Sequence, residues 1–252
     1  MDLAEYEQLN PRCEIDKDGT TVVYATPNRA TRWRVETLYT KEPVTIDWLG
    51  KLGPGDVLAD IGANVGMYTI WAAKLRSTRV FAFEPESQNY ALLNRNIVLN
   101  GLAGRVKAYC VALSDRSGYA ELHLSEFAAG GSNHAFGEAL NFKLEAMQAA
   151  YAQGCVAATL DELVAADVLP QPTHIKIDVD GFEHKVVAGA AKTVRDRRLR
   201  SMIIEINQNL EEHRALVHEL GAIGFRWDAA QVAAAERTSG PFQGLAEIVF
   251  ER

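Results

Sequence analysis

The chain has 252 residues, 48% hydrophobic and 23% charged, which suits one large buried core and excludes a disordered or fibrous protein. Its formal net charge of -7 opposes a phosphate backbone, so no nucleic-acid partner is expected. No apolar stretch reaches the ~18 residues of a membrane span, and the acidic start Met1-Asp2-Leu3-Ala4-Glu5 lacks signal-peptide character. Three scattered cysteines, Cys13, Cys110 and Cys155, fit reduced thiols and a cytoplasmic setting rather than a zinc site or a disulfide framework.

In chain order, residues 20–25 read as a short strand and Pro27-Asn28 as a turn. Arg29, Arg32 and Arg34 with Trp33 form a basic-aromatic patch, read either as surface decoration or as a lid that meets an anionic substrate. Thr40 caps a helix that carries Pro43 in its first turn. Residues 53–56 (Gly-Pro-Gly-Asp) then break the chain before an apolar strand over residues 57–61. This strand ends in Asp60-Ile61-Gly62-Ala63-Asn64-Val65-Gly66 and opens a helix to about residue 76. Strand, glycine turn and helix N-terminus are where an open α/β sheet holds a nucleotide-like ligand. A dinucleotide fingerprint would need glycines at 64 and 67, where Asn64 and Met67 stand, so the turn is not built as a pyrophosphate cradle.

Residues 79–85 read as a second strand ending in the acid Glu84. The acid lies at the distance from the glycine turn at which a neighbouring parallel strand tip would accept the hydroxyls of a ribose. A helix stopped by Asn100-Gly101 follows, then a third strand over 105–113 ending in Ser114-Asp115, and an alternating run at 119–124 that suits a hairpin arm. Residues 125–158 depart from the repeat: 128–137 read as flexible and polar, and 141–152 have helical composition. A short helix opens at Thr159. A fourth strand over 172–181 carries Asp178 and Asp180 at its tip. A single helix is expected from Phe182 to about residue 198, with the basic run 195–200 as its solvated end. A fifth strand over 202–207, a helix over 211–220, a sixth strand starting at 225–227 and an antiparallel last strand at 246–250 complete a doubly wound (Rossmann-like) α/β sheet, mostly parallel.

The blocks Asp60 to Gly66, Phe83-Glu84-Pro85-Glu86 with Asn89-Tyr90, Ala112-Leu113-Ser114-Asp115, Thr159-Leu160-Asp161 and Lys176-Ile177-Asp178-Val179-Asp180-Gly181-Phe182-Glu183 together resemble the FkbM family of class I S-adenosyl-L-methionine (SAM)-dependent methyltransferases. They occur in family order over roughly residues 40–225. The resemblance implies O-methylation, since the family's known members mostly methylate hydroxyl groups of sugars and polyketide natural products. It implies that Asp60, Gly62, Ala63, Asn64 and Gly66, with Tyr68 and Thr69, surround the methionine end and ribose of SAM. Glu84, with Pro85 and Asn89, would take the ribose hydroxyls, and Ala112, Leu113 and Ser114 would border the adenine. Asp178 would lie near the methyl group, and Glu42 would face the cofactor. One departure is that the pair 178 and 180 is Asp-x-Asp where many relatives have Asp-x-Glu, which keeps the charge and shortens the reach. The corresponding domain reading is an N-terminal extension at 1–50 on the lid or substrate side and a methyltransferase domain at 51–252, with an insertion at about 116–158.

Methyl transfer to an alcohol needs alignment, where effective molarities reach ~10⁵–10⁸ M, and removal of the hydroxyl proton by a base or a metal. Base candidates are His134, Asp178, Asp180 and Glu183. Each also has a plain reading: an exposed loop histidine, a strand-end acid capping a helix, a helix-entry turn, and an acid complementing the helix dipole. Hard oxygen ligands at Asp178, Glu205 and Asn207 offer an alternative with Mg²⁺. The competing functions are a methyltransferase acting on protein or nucleic acid, and a non-methyltransferase such as a dehydrogenase or a SAM-binding protein without activity. The Asn/Asp-Pro-Pro-aromatic motif of amino-methylating nucleic-acid enzymes is absent at the fourth strand. The oligomeric state is open, a homodimer being one arrangement the sequence allows.

Overall fold

A computed structural model describes residues 1–252, the side chain of Glu7 excepted. Helix α1 (Leu3–Gln8) leads into a hairpin of β1 (Arg12–Lys17) and β2 (Thr20–Ala25), turned at Asp18 and Gly19, both at positive φ. Helix α2 (Arg29–Glu36) starts where the Asn28 side chain accepts the Thr31 N–H, and α3 (Pro43–Gly50) starts on its proline. Then come β3 (Val57–Ile61), α4 (Met67–Leu75), β4 (Arg79–Phe83), α5 (Ser87–Leu99) and β5 (Val106–Tyr109). Four short strands follow: β6 (Ala112–Leu113), β7 (Gly118–Leu124), β8 (Ala135–Phe136) and β9 (Tyr151–Ala158). The chain continues through α6 (Leu160–Ala165), β10 (His174–Ile177), α7 (Glu183–Ala188), α8 (Ala191–Arg195), β11 (Ser201–Asn207), α9 (Glu211–Ala222), α10 (Ala229–Ala235) and β12 (Leu245–Glu251).

The central sheet has the order β12-β11-β10-β3-β4-β5, parallel except for β12. From β3 the chain winds out to β5 and then returns to β10 on the other side of β3. The order therefore reverses between β3 and β10, and ligands of such sheets bind beyond the strand ends at that reversal. Pairing of Ile61 with both Phe83 and Ile177 aligns three tips, so Gly62, Glu84 and Asp178 leave the sheet side by side. Period-two alternation divides the core: Leu58, Val80 and Ala82 pack under α4 and α5, while Ala59, Ile61, Phe81, Ile175 and Ile177 pack under α7 and α9. Among the described residues no helix is long and apolar enough to cross a membrane.

Several local expectations are corrected. The apolar run 105–113 is two strands in two sheets. β5 ends at Tyr109, and β6 pairs in parallel with β9 of a separate sheet ordered β6-β9-β7-β8. Residues 141–152 are not helical: the Asn141 side chain accepts the Lys143 and Glu145 N–H groups in a local turn, and residues from Tyr151 onward are drawn into antiparallel pairing with β7. The helix expected at 182–198 breaks at Gly189, where the backbone comes so close to the 114–115 link that a Cβ would sit 2.0 Å from the Ser114 carbonyl. Residues 225–227 make only a bridge between Arg226 and Glu251, because Asp228 then caps α10. The basic run does not extend a helix: Arg198 pairs with Asp196 and Arg200 with Asp56.

Candidate active site

Sequence and geometry both require the first turn. The Gly62 and Ala63 N–H groups donate to the Phe83 carbonyl (3.0 and 3.1 Å), which folds the chain across the tip of β4. Gly62 has φ +76, and a Cβ there would lie 1.8 Å from the Asp178 carbonyl oxygen, so only glycine lets β3 and β10 leave the sheet together. Asn64 follows at φ +51, and its N–H donates to Glu84 Oε2 (2.7 Å). Glu84 Oε1 accepts from the Glu86 N–H (2.9 Å). Burial nonetheless pushes the Glu84 carboxyl up to about 7, because two hydrogen bonds do not replace water around a charge. Asp60 lies on the Leu58 face of β3 and points away from the cleft. It accepts from the Thr69 hydroxyl, lies 3.8 Å from Lys176, and is pushed up by burial.

At the tip of β10, the buried Lys176 ammonium is 3.2 Å from Asp178. Burial opposes its charge, but Asp178 and Asp60 hold its pKa above the ordinary value. Burial likewise opposes the Asp178 charge, yet Lys176 and Lys41 hold this carboxyl below the usual range. Asp180, at φ +56, accepts the Asn133 N–H (2.7 Å) and is pushed up to about 7 by burial and then by the charges of Asp178 and Glu183. Glu183 does not face the cleft. It lies beneath the turn, accepts the Val179 and Gly181 N–H groups (2.8 and 3.1 Å), and is 3.2 Å from His213. His213 Nδ1 accepts the Asn207 N–H, and Nε2 lies 3.0 Å from the Gly181 carbonyl.

On the β11 side, Glu205 and Glu247 are cross-strand neighbours that share Arg237, at 3.2 and 2.7 Å, with Glu42 at 3.7 Å. Burial pushes Glu205 well up and Glu247 to about 7, since one guanidinium cannot neutralise three carboxylates. Asp178, Glu183 and Glu205 offer oxygens within 4.8 Å of one another. This differs from the expected ligand trio: the Asn207 amide is engaged with the Phe142 carbonyl and the Asn209 N–H, and Glu183 stands in its place. Lys176 serves Asp178, His213 and two N–H groups serve Glu183, and Arg237 serves Glu205, so the three acids already have partners.

These tips open into a cleft of about 430 Å³. Of the residues singled out in the sequence, it brings together Gly62, Asn64, Glu84, Pro85, Asn89, Ala112, Leu113, Ser114, His134, Asp178, Asp180 and Glu205. Glu42, Ala63 and Tyr68 line a smaller adjoining pocket of about 40 Å³. Asp60, Thr69 and Gly66 support the turn from behind, with Gly66 packed toward Leu93. The loop expected to be flexible is pinned across the cleft. Asn28 and Arg34 donate to the Ala129 and Gly130 carbonyls, Asn64 donates to the Gly131 carbonyl, and Asn89 accepts the Gly130 N–H. His134 Nδ1 accepts from the Ser125 N–H (3.3 Å), which leaves the ring proton on Nε2, a buried atom without a partner at the cleft wall. Burial lowers the His134 pKa, so the ring is neutral and offers a donor.

Sequence reasoning missed Lys41, Arg237 and an aromatic pair, Phe142 and Phe242 (ring centroids 5.0 Å apart), all of which line the cleft. They come from loops with no motif, and only the fold brings them together. The basic-aromatic patch was visible, and two of its members, Trp33 and Arg34, do reach the cleft.

Residues 60–227 match the family described as the methyltransferase FkbM domain. Over 181 residues the chain is 29% identical to the hexuronic acid methyltransferase AglP of Haloferax volcanii, covering 71% of this chain and 67% of that protein. It is 42% identical over 69 residues to the 31-O-demethyl-FK506 methyltransferase FkbM of Streptomyces tacrolimicus, 27% of this chain and 26% of that one. The similarity thus spans two thirds of the first relative and about a quarter of the second. Among solved structures, methyltransferase FkbM from Methylobacillus flagellatus superposes with a TM-score of 0.50 at 15% identity, over 78% of this chain and 43% of that one, a likeness of fold.

Proposed function

Because this chain belongs to the FkbM methyltransferase family, we propose that it transfers the methyl group of S-adenosyl-L-methionine to a hydroxyl of a small molecule, with Asp180 as the general base. The observation that carries the reading is the convergence in one cleft of the turn at 62–64, the Glu84 carboxylate and the tip bearing Asp178 and Asp180. The residues fit this cofactor. Glu84 keeps lone pairs free for a ribose diol beyond the two N–H groups it accepts. Ala112, Leu113 and Ser114 supply a wall for the adenine. Bound there, the cofactor supplies a methyl group activated by a sulfonium.

Asp180 suits proton removal better than Asp178, because its carboxyl lies near 7 and a base works best near the operating pH. Asp178 is held ionised by Lys176, which suits it to orient the acceptor or to face positive charge. His134, neutral and held through Nδ1 by the Ser125 N–H, forms part of the cleft wall rather than acting as the base. Glu183 positions the turn. The reading uses no metal: Lys176 and Arg237 already meet the charge at Asp178 and Glu205, and the His213 ring with two N–H groups engages Glu183. Phe136, Phe142, Phe182 and Phe242 give the acceptor side apolar walls suited to a sugar or polyketide ring face, in keeping with the hexuronic acid and FK506 named for the relatives. Residues 1–50 are read as an extension over the mouth of the cleft, and 51–252 as the methyltransferase domain with its insertion at about 116–158.

The test is calorimetric titration with S-adenosylhomocysteine, repeated for Glu84→Ala, with NAD as control. Micromolar binding that is lost in the variant supports the reading. Preference for NAD, or no binding, refutes it.

A further inference from the structure

The pocket of about 40 Å³ beside the main cleft is lined on one side by the turn at 62–64 and the start of α4, and on the other by the chain ahead of the family-matched region. Its charged groups are unevenly matched. Lys41 is bound to Glu42, whose second oxygen accepts from the Tyr68 hydroxyl (2.7 Å). Lys176 is shared between Asp60 and Asp178. Arg34 is the cation left over. Among the described residues its side chain makes one hydrogen bond, from Nε to the Gly130 carbonyl (2.9 Å), and no carboxylate lies within 4.0 Å. It borders both the small pocket and the main cleft. A half-buried guanidinium with its terminal nitrogens unengaged is set to bind an anion, and the fork of an arginine matches a carboxylate. The N-terminus of α4, nine residues long, adds partial positive charge to the same pocket.

We infer that Arg34 binds the methionine carboxylate of the cofactor, so that the segment ahead of the family domain completes the cofactor site. The inference rests on the SAM reading above. The pocket has room for only a few atoms beside the turn, which suits the short aminocarboxylate end of a ligand whose ribose reaches Glu84. An acceptor would instead enter from the wider aromatic side. Arg34 also ties the cofactor to the 128–134 loop through Gly130, so one side chain links a bound ligand to the strap across it.

The experiment compares S-adenosylhomocysteine with 5′-methylthioadenosine, which keeps the adenosine and sulfur but lacks the aminocarboxylate. Both are titrated calorimetrically into the wild type, Arg34→Gln and Arg34→Lys. Glutamine can still donate to the Gly130 carbonyl. The expected result is that Arg34→Gln weakens S-adenosylhomocysteine roughly 10- to 100-fold, the worth of a charge-assisted contact. Methylthioadenosine binding should be unchanged, and Arg34→Lys should recover part of the loss. Unchanged affinities for both ligands in Arg34→Gln overturn the inference and move Arg34 to the acceptor. Equal weakening of both ligands also overturns it, since Arg34 would then act only through the loop. Wild type that binds neither ligand overturns the cofactor reading itself.

Discussion

Replacing Glu84 by Gln isolates one charge buried at the rim of the cleft. The carboxyl is 5% exposed and its folded pKa is raised from 4.5 to about 7. A carboxylate raised on folding is a liability when ionised. The penalty is absent below the unfolded pKa, grows between 4.5 and 7, and is complete above 7. A shift of this size corresponds to about 3 kcal/mol at 1.36 kcal/mol per unit. Glutamine cannot ionise, but its amide has one acceptor where the carboxylate uses two, facing the Asn64 and Glu86 N–H groups. The variant is therefore expected to lose roughly 1–3 kcal/mol at pH 5 through the orphaned N–H, and to recover against the wild type by about 2–3 kcal/mol on going to pH 8.5. Urea unfolding of both proteins at the two pH values measures the double difference, which cancels the other titrating acids. Stability curves that stay parallel within about 0.5 kcal/mol would show that Glu84 is not desolvated as the structure has it.

Asp180→Asn should lower kcat by roughly 10²–10⁴-fold and abolish the limb of the pH–rate profile near neutrality; an intact limb would show that Asp180 is not the base. Gly62→Ala places a Cβ 1.8 Å from the Asp178 carbonyl in a backbone at φ +76, so it should destabilise the fold by more than about 3 kcal/mol and abolish S-adenosylhomocysteine binding; a soluble, binding-competent variant would show that the strand tips can separate. Arg237→Gln leaves Glu205 and Glu247 without their cation. Their carboxyls should rise further, and stability should fall by about 3 kcal/mol at pH 8 but less at pH 6, read by thermal unfolding at each pH.

Much of this was legible in local sequence. The turn at 62–66 declares itself because glycine and asparagine at positive φ are chemical necessities of a tight strand-to-helix turn, and the acid at Glu84 follows from the length of one strand-helix-strand unit. Thr159 marks a helix start because its side chain accepts the N–H three residues on, whereas the helices capped by Asn28 and Asp228 were not expected from the sequence. Residues 141–152 misled because the Asn141 side chain makes a local turn and Tyr151 pairs with β7, and residues 105–113 because pairing with a distant strand splits them. Composition describes what a segment prefers alone, whereas β6 and β9 exist because they find each other across more than forty residues, where backbone pairing outweighs propensity.

The order of strands beside β3 was implicit in the alternation of apolar runs and helices, because each run is buried on both faces and each crossover has one hand. The acids at the tips of β3, β4 and β10 were therefore readable as neighbours. Their states were not. Asp178 is ionised and Asp180 titrates near 7 although both are aspartates two residues apart, because Lys176 and Lys41 reach the first while Glu183 lies beneath the second. Nor could the chain alone show that Arg34, Arg237, Phe142 and Phe242 share a cleft with Glu84. A charge or a ring carries no record of its distant partners, and only tertiary packing brings such groups together, excludes the water between them and so gives their charges a magnitude that matters.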